Sequence, residues 1–479
     1  MVKWIRLDWN WPLIFLAYFI LQIILRTAIG RGLGLDEAEL MLTAQTLEWG
    51  YGSQPPLYSW IQHGVFALLG ETIFSLSLVK NSFLYLTYFA LYRLLHIHYD
   101  KETAGLATLS LILLPQIAWE SQRALSHSVL ATTMTVITFL IFTRLIDNRN
   151  SWFYFLFGIS AALGILSKFN YAILPIAMLV AALSLRSARD SVLNPRILFS
   201  FGAASIILLM PLHWIVTHQA KVLNSVHKFN IKDGISTFTS ALQGALSLAE
   251  ASFLFIAVLI VVLLFLHFRY GEKPTDSHQE MPLFQLMSRT VIAALLLTEV
   301  AIFWSGTTNV KDRWLQPILV LAAPAMTLWL LPKLSKLGKH RLVHITLVVA
   351  LLIFIAQLVH DIRPSRRSAP YPAIVSAIAD QYPEVKTVFA KNKWIGGNFR
   401  HLKKQWIIAV PENNSEALKG RVVFVWQSDN KEIPSSMLDY LKTQNKQVLF
   451  IDPTTTIKVA YPSSSQSLFT MSFAAALIN

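Results

Sequence analysis

Residues 252–268 read SFLFIAVLIVVLLFLHF, a run without one charged side chain. A bilayer core about 30 Å thick is crossed by roughly 20 apolar helical residues, so a run of this kind reads as a membrane span. Similar runs lie near residues 12–28, 73–94, 103–118, 129–145, 152–166, 171–185, 197–216, 291–304, 314–331 and 342–359. The fold expected is an α-helical polytopic membrane protein with about 11 transmembrane helices. Composition agrees: 54% of the 479 residues are hydrophobic and only 14% charged, against about 25% charged in a soluble chain. A soluble enzyme of ordinary domains is excluded on that ground. The absence of cysteine excludes disulfide scaffolds, thiolate metal sites and cysteine nucleophiles. The net charge of +14 comes from basic residues flanking the apolar runs rather than from a basic patch, so nucleic acid is not an expected partner.

The first run follows Lys3 and Arg6, is interrupted by Arg26 and lacks a small-residue cleavage site after it, which suits a retained signal anchor. Basic residues near helix ends stay cytoplasmic. Alternate connections carry Arg93 and Lys101, Arg144 and Arg149, then Arg186, Arg189 and Arg196, then Arg269 and Lys273, then Lys333, Lys336, Lys339 and Arg341. That bias places the N-terminus in the cytoplasm and the C-terminus outside. The transmembrane core is expected over residues 1–360, with external segments at 30–72 and 217–251. In residues 361–479, short β-rich runs (385–389, 406–410, 422–426, 448–451 and 457–461) alternate with helical patterns such as 434–443. This alternation predicts a small α/β extracytoplasmic domain.

Candidate chemistry gathers at the outer ends of the spans. The first external segment holds Asp36-Glu37-Ala38-Glu39 and then Gln54-Pro55-Pro56-Leu57-Tyr58-Ser59-Trp60, with His63 following. Carboxylates at a bilayer boundary can hold a hard cation or take a proton from a hydroxyl, although Asp and Glu also simply favour a helix's first turn. Glu120 ends the third span, with Arg123 three residues on; the plainer reading is an interfacial ion pair between the two. Lys80 lies inside the second span, Lys168 sits in a tight turn, and Lys311-Asp312-Arg313-Trp314 precedes the tenth span. Cations at such depths suit an anionic ligand such as a lipid phosphate, or snorkel to headgroups without any specific site.

Taken together these motifs resemble the membrane glycosyltransferases of the GT-C class. Within it they are similar to the family-39-like group of protein O-mannosyltransferases and of aminoarabinose or galacturonic acid transferases acting on lipopolysaccharide. The resemblance rests on Asp36 with Glu37, on the segment from Gln54 to Trp60, on Lys80, on Glu120 and on the turn Leu166-Ser167-Lys168-Phe169-Asn170. Gln54 stands where the aminoarabinose transferases have a lysine, which disfavours aminoarabinose as the donor sugar; the turn after Lys168 lacks the group's Gly-Pro. The resemblance implies inverting transfer of a sugar from a polyprenyl-phosphate-linked donor to an acceptor, lipid A or lipopolysaccharide foremost, at the periplasmic face of a bacterial inner membrane. It implies Asp36, Glu37 and Glu120 as catalytic groups, with Lys168, Lys311, Arg313 and Lys80 on the donor phosphate. Gln54, Tyr58, His63 and Arg123 then line the substrate cavity. A divalent cation, Mg²⁺ or Mn²⁺, would sit on Asp36 and Glu120. The competing class is a transporter or flippase of a lipid-linked saccharide, which favours repeated halves and broken helices near the midplane; neither is read here, and the acids cluster at one face.

Overall fold

The structure is a computed structural model that describes residues 10–219, 237–273, 282–411 and 417–479. Lys3, Arg6 and residues 220–236 of the second expected external segment lie outside the described residues. Six helices among those described are long and apolar enough to cross a bilayer: Trp11–Ala28, Ser126–Asn148, Ile197–Thr217, Thr239–Tyr270, Leu283–Ser305 and Lys336–Ile362. Two shorter apolar helical stretches, Ser151–Ser167 and Phe169–Leu183, add to them. The chain is a multi-pass membrane protein.

Two runs read from sequence as plain spans are instead interrupted. Residues 103–118 fall into the helix Lys101–Leu109, a 3₁₀ turn Ser110–Leu113 and a π-helical turn Gln116–Glu120. Residues 314–331 fall into the short helices Gln316–Leu319 and Ala322–Leu330. Pro115, Pro317 and Pro324 lie at these breaks, and proline supplies no backbone N–H and crowds the preceding turn. Irregular backbone at membrane depth is tolerated where protein surrounds it. Leu111, Leu113, Leu114, Leu319, Val320 and Leu321 are all buried.

The chain forms two compact units. The first comprises residues Met1–Gln22, Glu48–Tyr58 and Lys80–Phe354; the second comprises Ile23–Leu47, Ser59–Val79 and Ile355–Asn479. In the first unit, the helix Ser151–Ser167 packs between Ser126–Asn148 and Ile197–Thr217. The absence of a side chain at Gly158 permits its close approach to Ile197–Thr217, since a Cβ there would lie 2.1 Å from the Ser200 carbonyl oxygen.

The second unit carries a six-stranded sheet among its described residues: β1 Thr387–Ala390, β2 Ile407–Ala409, β3 Gly420–Trp426, β4 Val448–Ile451, β5 Thr455–Tyr461 and β6 Ser464–Ile478. The order is β2-β1-β3-β6-β4, with β5 also on β6. β1 runs parallel to β2 and β3, and β6 runs antiparallel to its three neighbours. Phe389, Val422, Phe424, Trp426, Ala474 and Ala476 form its core with Met437 and Leu441 of the helix Ser435–Thr443. The longest strand, β6, is not among the runs legible in the sequence. Its serine-rich start and the run Ala474-Ala475-Ala476 have weak strand preference, and it is placed by pairing on both sides, Val422 to Ala476 and Ile451 to Ala476.

Candidate functional site

In the second unit the acids Asp36, Glu37 and Glu39 belong to a helix, Leu35–Thr43, whose entry is Gly34. Glu37 occupies its third position, and Oε2 accepts from the Gly34 N–H at 2.7 Å. That carboxylate is also enclosed by two guanidinium groups. Arg26 Nε and Nη2 donate to its two oxygens at 2.9 and 2.8 Å, and Arg367 Nη2 donates at 2.9 Å. Arg367 Nη1 reaches Asp361 at 3.3 Å. All four side chains are buried. Two cations and two anions balance, which is what a desolvated cluster requires, because a buried charge left unpaired costs several kcal/mol, roughly 3–5. Burial pulls the Arg367 guanidinium below its ordinary value, and Glu37 and Asp361 oppose it. Close by, burial holds His401 below the usual histidine range, with Arg26 and Lys404 adding to the effect.

Asp36 is half-buried, whereas Glu37 is enclosed. Successive helical side chains diverge by about 100°, so one residue's step separates an anchoring acid from an accessible one. Glu39 on the same helix takes an ion pair from Lys393 at 2.7 Å. His63 holds the end of this helix, its Nδ1 lying 2.9 Å from the Ala44 carbonyl oxygen.

In the first unit a polar cavity of about 660 Å³ is lined by Gln116, Glu120, Ser247, Glu250, Asn309, Lys311, Asp312 and Arg313, among others. The π-helical turn Gln116–Glu120 brings Glu120 to its wall; such turns recur at functional sites. Leu125, also in the wall, holds the left-handed conformation at φ 67°, which a branched side chain adopts only when its surroundings enforce it. Glu120 pairs with Arg123 at 3.1 Å, and Arg123 lies over the Trp119 ring at 5.1 Å. Lys168 Nζ donates to Ser128 Oγ at 2.9 Å and to the Arg313 carbonyl at 3.0 Å, while Asn170 Nδ2 donates to the Trp314 carbonyl at 2.8 Å. The turn around Lys168 thereby fixes the segment that carries Lys311 and Arg313. Gln116 donates to Asp312 across the same cavity. The buried Lys80 donates to the Ala124 carbonyl at 3.1 Å, just behind the cavity wall.

Glu120, Lys311 and Arg313 thus share one cavity, and Lys168, Lys80 and Arg123 each contact a residue that lines it. Gln54 is half-buried and bridges through its backbone to Tyr51; Tyr58 is fully buried, its ring 5.5 Å from that of His127. Gln116, Asp312, Ser247 and Glu250 line the cavity without being among the sequence candidates. Asp312 had a visible signal, standing between two cations already singled out. Glu250 and Ser247 had none, since they belong to a long apolar helix. Among the described residues no three His, Asp or Glu side chains gather in the manner of an all-protein metal cage.

Residues 53–215 match the dolichyl-phosphate-mannose-protein mannosyltransferase family. Lipopolysaccharide core galacturonosyltransferase RgtB of Rhizobium johnstonii is 31% identical over 407 residues, covering 82% of each chain. RgtA of the same organism, also a lipopolysaccharide core galacturonosyltransferase, is 27% identical over 438 residues, 87% of this chain and 86% of that one. The crystal structure of ArnT from Cupriavidus metallidurans bound to undecaprenyl phosphate superposes with a TM-score of 0.60 at 13% identity, covering 97% of this chain and 98% of ArnT. At that identity the likeness is one of fold. The chain is a membrane glycosyltransferase of the GT-C class, and it belongs to the family of the lipopolysaccharide core galacturonosyltransferases.

Proposed function

We propose that this protein moves a uronic acid, galacturonic acid first among them, from a polyprenyl-phosphate carrier to lipopolysaccharide at the periplasmic face of the inner membrane. The similarity to RgtB carries the choice of sugar and acceptor. The cations at the polar cavity support an anionic donor: a uronosyl phosphate brings a carboxylate and a phosphate, and Lys311 and Arg313 line the space with Lys168 holding their segment. Charge developing on the departing phosphate is stabilised by groups already in place, typically the largest contribution in such a site.

In this reading an acceptor hydroxyl attacks the anomeric carbon, the bond from that carbon to the phosphate oxygen breaks, and the lipid phosphate leaves with the electron pair. The resemblance to the GT-C glycosyltransferases gives the hydroxyl proton to Asp36. Attack opposite the phosphate inverts the anomeric centre. Glu37 takes no proton in this scheme, because both its oxygens are engaged by guanidinium groups. A divalent cation, Mg²⁺ or Mn²⁺, would be held by Glu120 and would supply positive charge to offset the negative charge developing on the phosphate. Chelation with EDTA is expected to stop transfer, and unchanged turnover removes the ion from the scheme.

The test of the base is Asp36→Asn. Loss of a positioned base costs a factor on the order of 10²–10⁴, so transfer should fall by that much while the protein still inserts in membranes. Wild-type turnover by an inserted Asn variant contradicts the assignment.

A further inference from the structure

We propose that Arg367, together with Arg26 and Asp361, is a positioning group for Asp36, so that the C-terminal segment sets the geometry of the catalytic base. The inference rests on Asp36 being the base. A helix of nine residues, Leu35–Thr43, has too few turns to hold itself rigid in isolation. Its orientation must come from what grips it; Arg26 and His63 supply two grips, and the others described lie in the C-terminal segment of the same compact unit. Arg367 donates to Glu37 beside Asp36, and its carbonyl accepts from the Gly32 N–H at 2.8 Å. Asn398 Oδ1 accepts from the Leu33 N–H and Trp394 Nε1 donates to the Leu33 carbonyl, both at 2.8 Å. The helix Lys393–Leu402 lies directly on the acidic one: a Cβ at Gly397 would stand 2.1 Å from the Ala38 carbonyl oxygen.

These contacts fix the helix start from both sides. Arg26 and Arg367 hold the third helical residue through a carboxylate, while Asn398 and Trp394 hold the backbone two residues before the helix. Asp36 lies between the two anchor points, one residue from Glu37. Neither arginine has to touch substrate to matter, because a displacement of about 1 Å at a reacting group can cost on the order of 100-fold in rate. Asp361 completes the arrangement by holding the second arm of the Arg367 fork.

Arg367→Lys keeps the charge but cannot fork between Glu37 and Asp361. Full-length protein in membranes is assayed with undecaprenyl-phosphate-linked galacturonic acid and lipopolysaccharide from cells lacking the gene. The expected result is a fall in kcat of about 10–100-fold with KM for the lipid-linked donor unchanged. Because Arg367 acts through Asp36, the double variant Asp36→Asn with Arg367→Lys should be no slower than Asp36→Asn alone, whereas independent roles would multiply. Multiplied losses, or a loss confined to KM, overturn the inference. So does wild-type kcat in Arg367→Lys beside a slow Asp36→Asn, and that outcome leaves the base reading standing. A fully active Asp36→Asn removes the base reading and the inference with it. Should Arg367→Lys fail to insert, Lys393→Met, which breaks the partly exposed pair with Glu39 on the same helix, replaces it in the same cycle, with a kcat fall of roughly 3–10-fold expected.

Discussion

Arg313→Gln separates phosphate recognition from the rest of the chemistry. The Arg313 side chain lines the polar cavity and is exposed there, while its backbone is held independently by Lys168 through the carbonyl oxygen at 3.0 Å. Substituting the side chain therefore leaves the local fold intact. A hydrogen bond from a charged group to an anion contributes about 1.5–3 kcal/mol, which at about 1.4 kcal/mol per decade is roughly a 10–150-fold change in donor affinity. Exposure to solvent places the effect toward the lower end of that range. The assay is initial rate against donor concentration in membranes at two ionic strengths. Wild type should lose donor affinity as salt rises, since screening lengths shorten from about 10 Å at 0.1 M to about 3 Å at 1 M; the variant should show a higher KM and a flatter salt response. Lys333→Gln serves as the control, for that cation is stacked over the Trp329 ring at 3.2 Å and lies outside the cavity lining. Equal KM and equal salt dependence in Arg313→Gln and wild type would refute the phosphate assignment.

Two further outcomes concern stability. Glu37→Leu leaves Arg26 and Arg367 buried without their shared carboxylate, a change expected to destabilise by about 3–5 kcal/mol and seen as a lower unfolding temperature of the purified protein; an unchanged temperature would show that the cluster contributes little. His401 is held below its ordinary pKa, with Arg26, Lys404 and Glu37 as the charged groups acting on it and the Glu71 backbone as a hydrogen-bond partner. Its folded form therefore binds a proton less readily than its unfolded form, so its contribution is present above the unfolded value of 6.5 and is lost as pH falls below it. His401→Leu should flatten the loss of thermal stability between neutral and mildly acid pH; a parallel slope in the two proteins would contradict that role.

Six of the expected spans were legible as long apolar helices because an apolar run of about 20 residues matches the thickness of a bilayer core and is longer than most buried helices of soluble domains need. The strands β1 to β5 also emerged near their sequence runs. What stayed hidden depended on partners distant in the chain. Arg26 read as a flaw in the first span; its meaning is a bidentate contact with Glu37 and a shared cluster with Arg367, a residue 330 positions beyond that glutamate. The breaks around Pro115 and Pro317 were written in the sequence, yet a proline within an apolar run is compatible with either a kinked span or an interrupted one. Glu120 and Arg123 were legible as a pair because residues three apart on a helical turn face one another. The cavity that surrounds them was not, since its other walls come from residues 247–254 and 309–313.

Uronic acid transfer is read most directly from the mass of lipopolysaccharide and lipid A from cells with and without this gene. Transfer of a uronic acid from a lipid carrier predicts that the strain lacking the gene loses one hexuronic acid residue, and that the wild-type gene but not Asp36→Asn restores it. Identical lipopolysaccharide in the two strains would contradict the account, and a missing hexose or amino-pentose would contradict the choice of sugar.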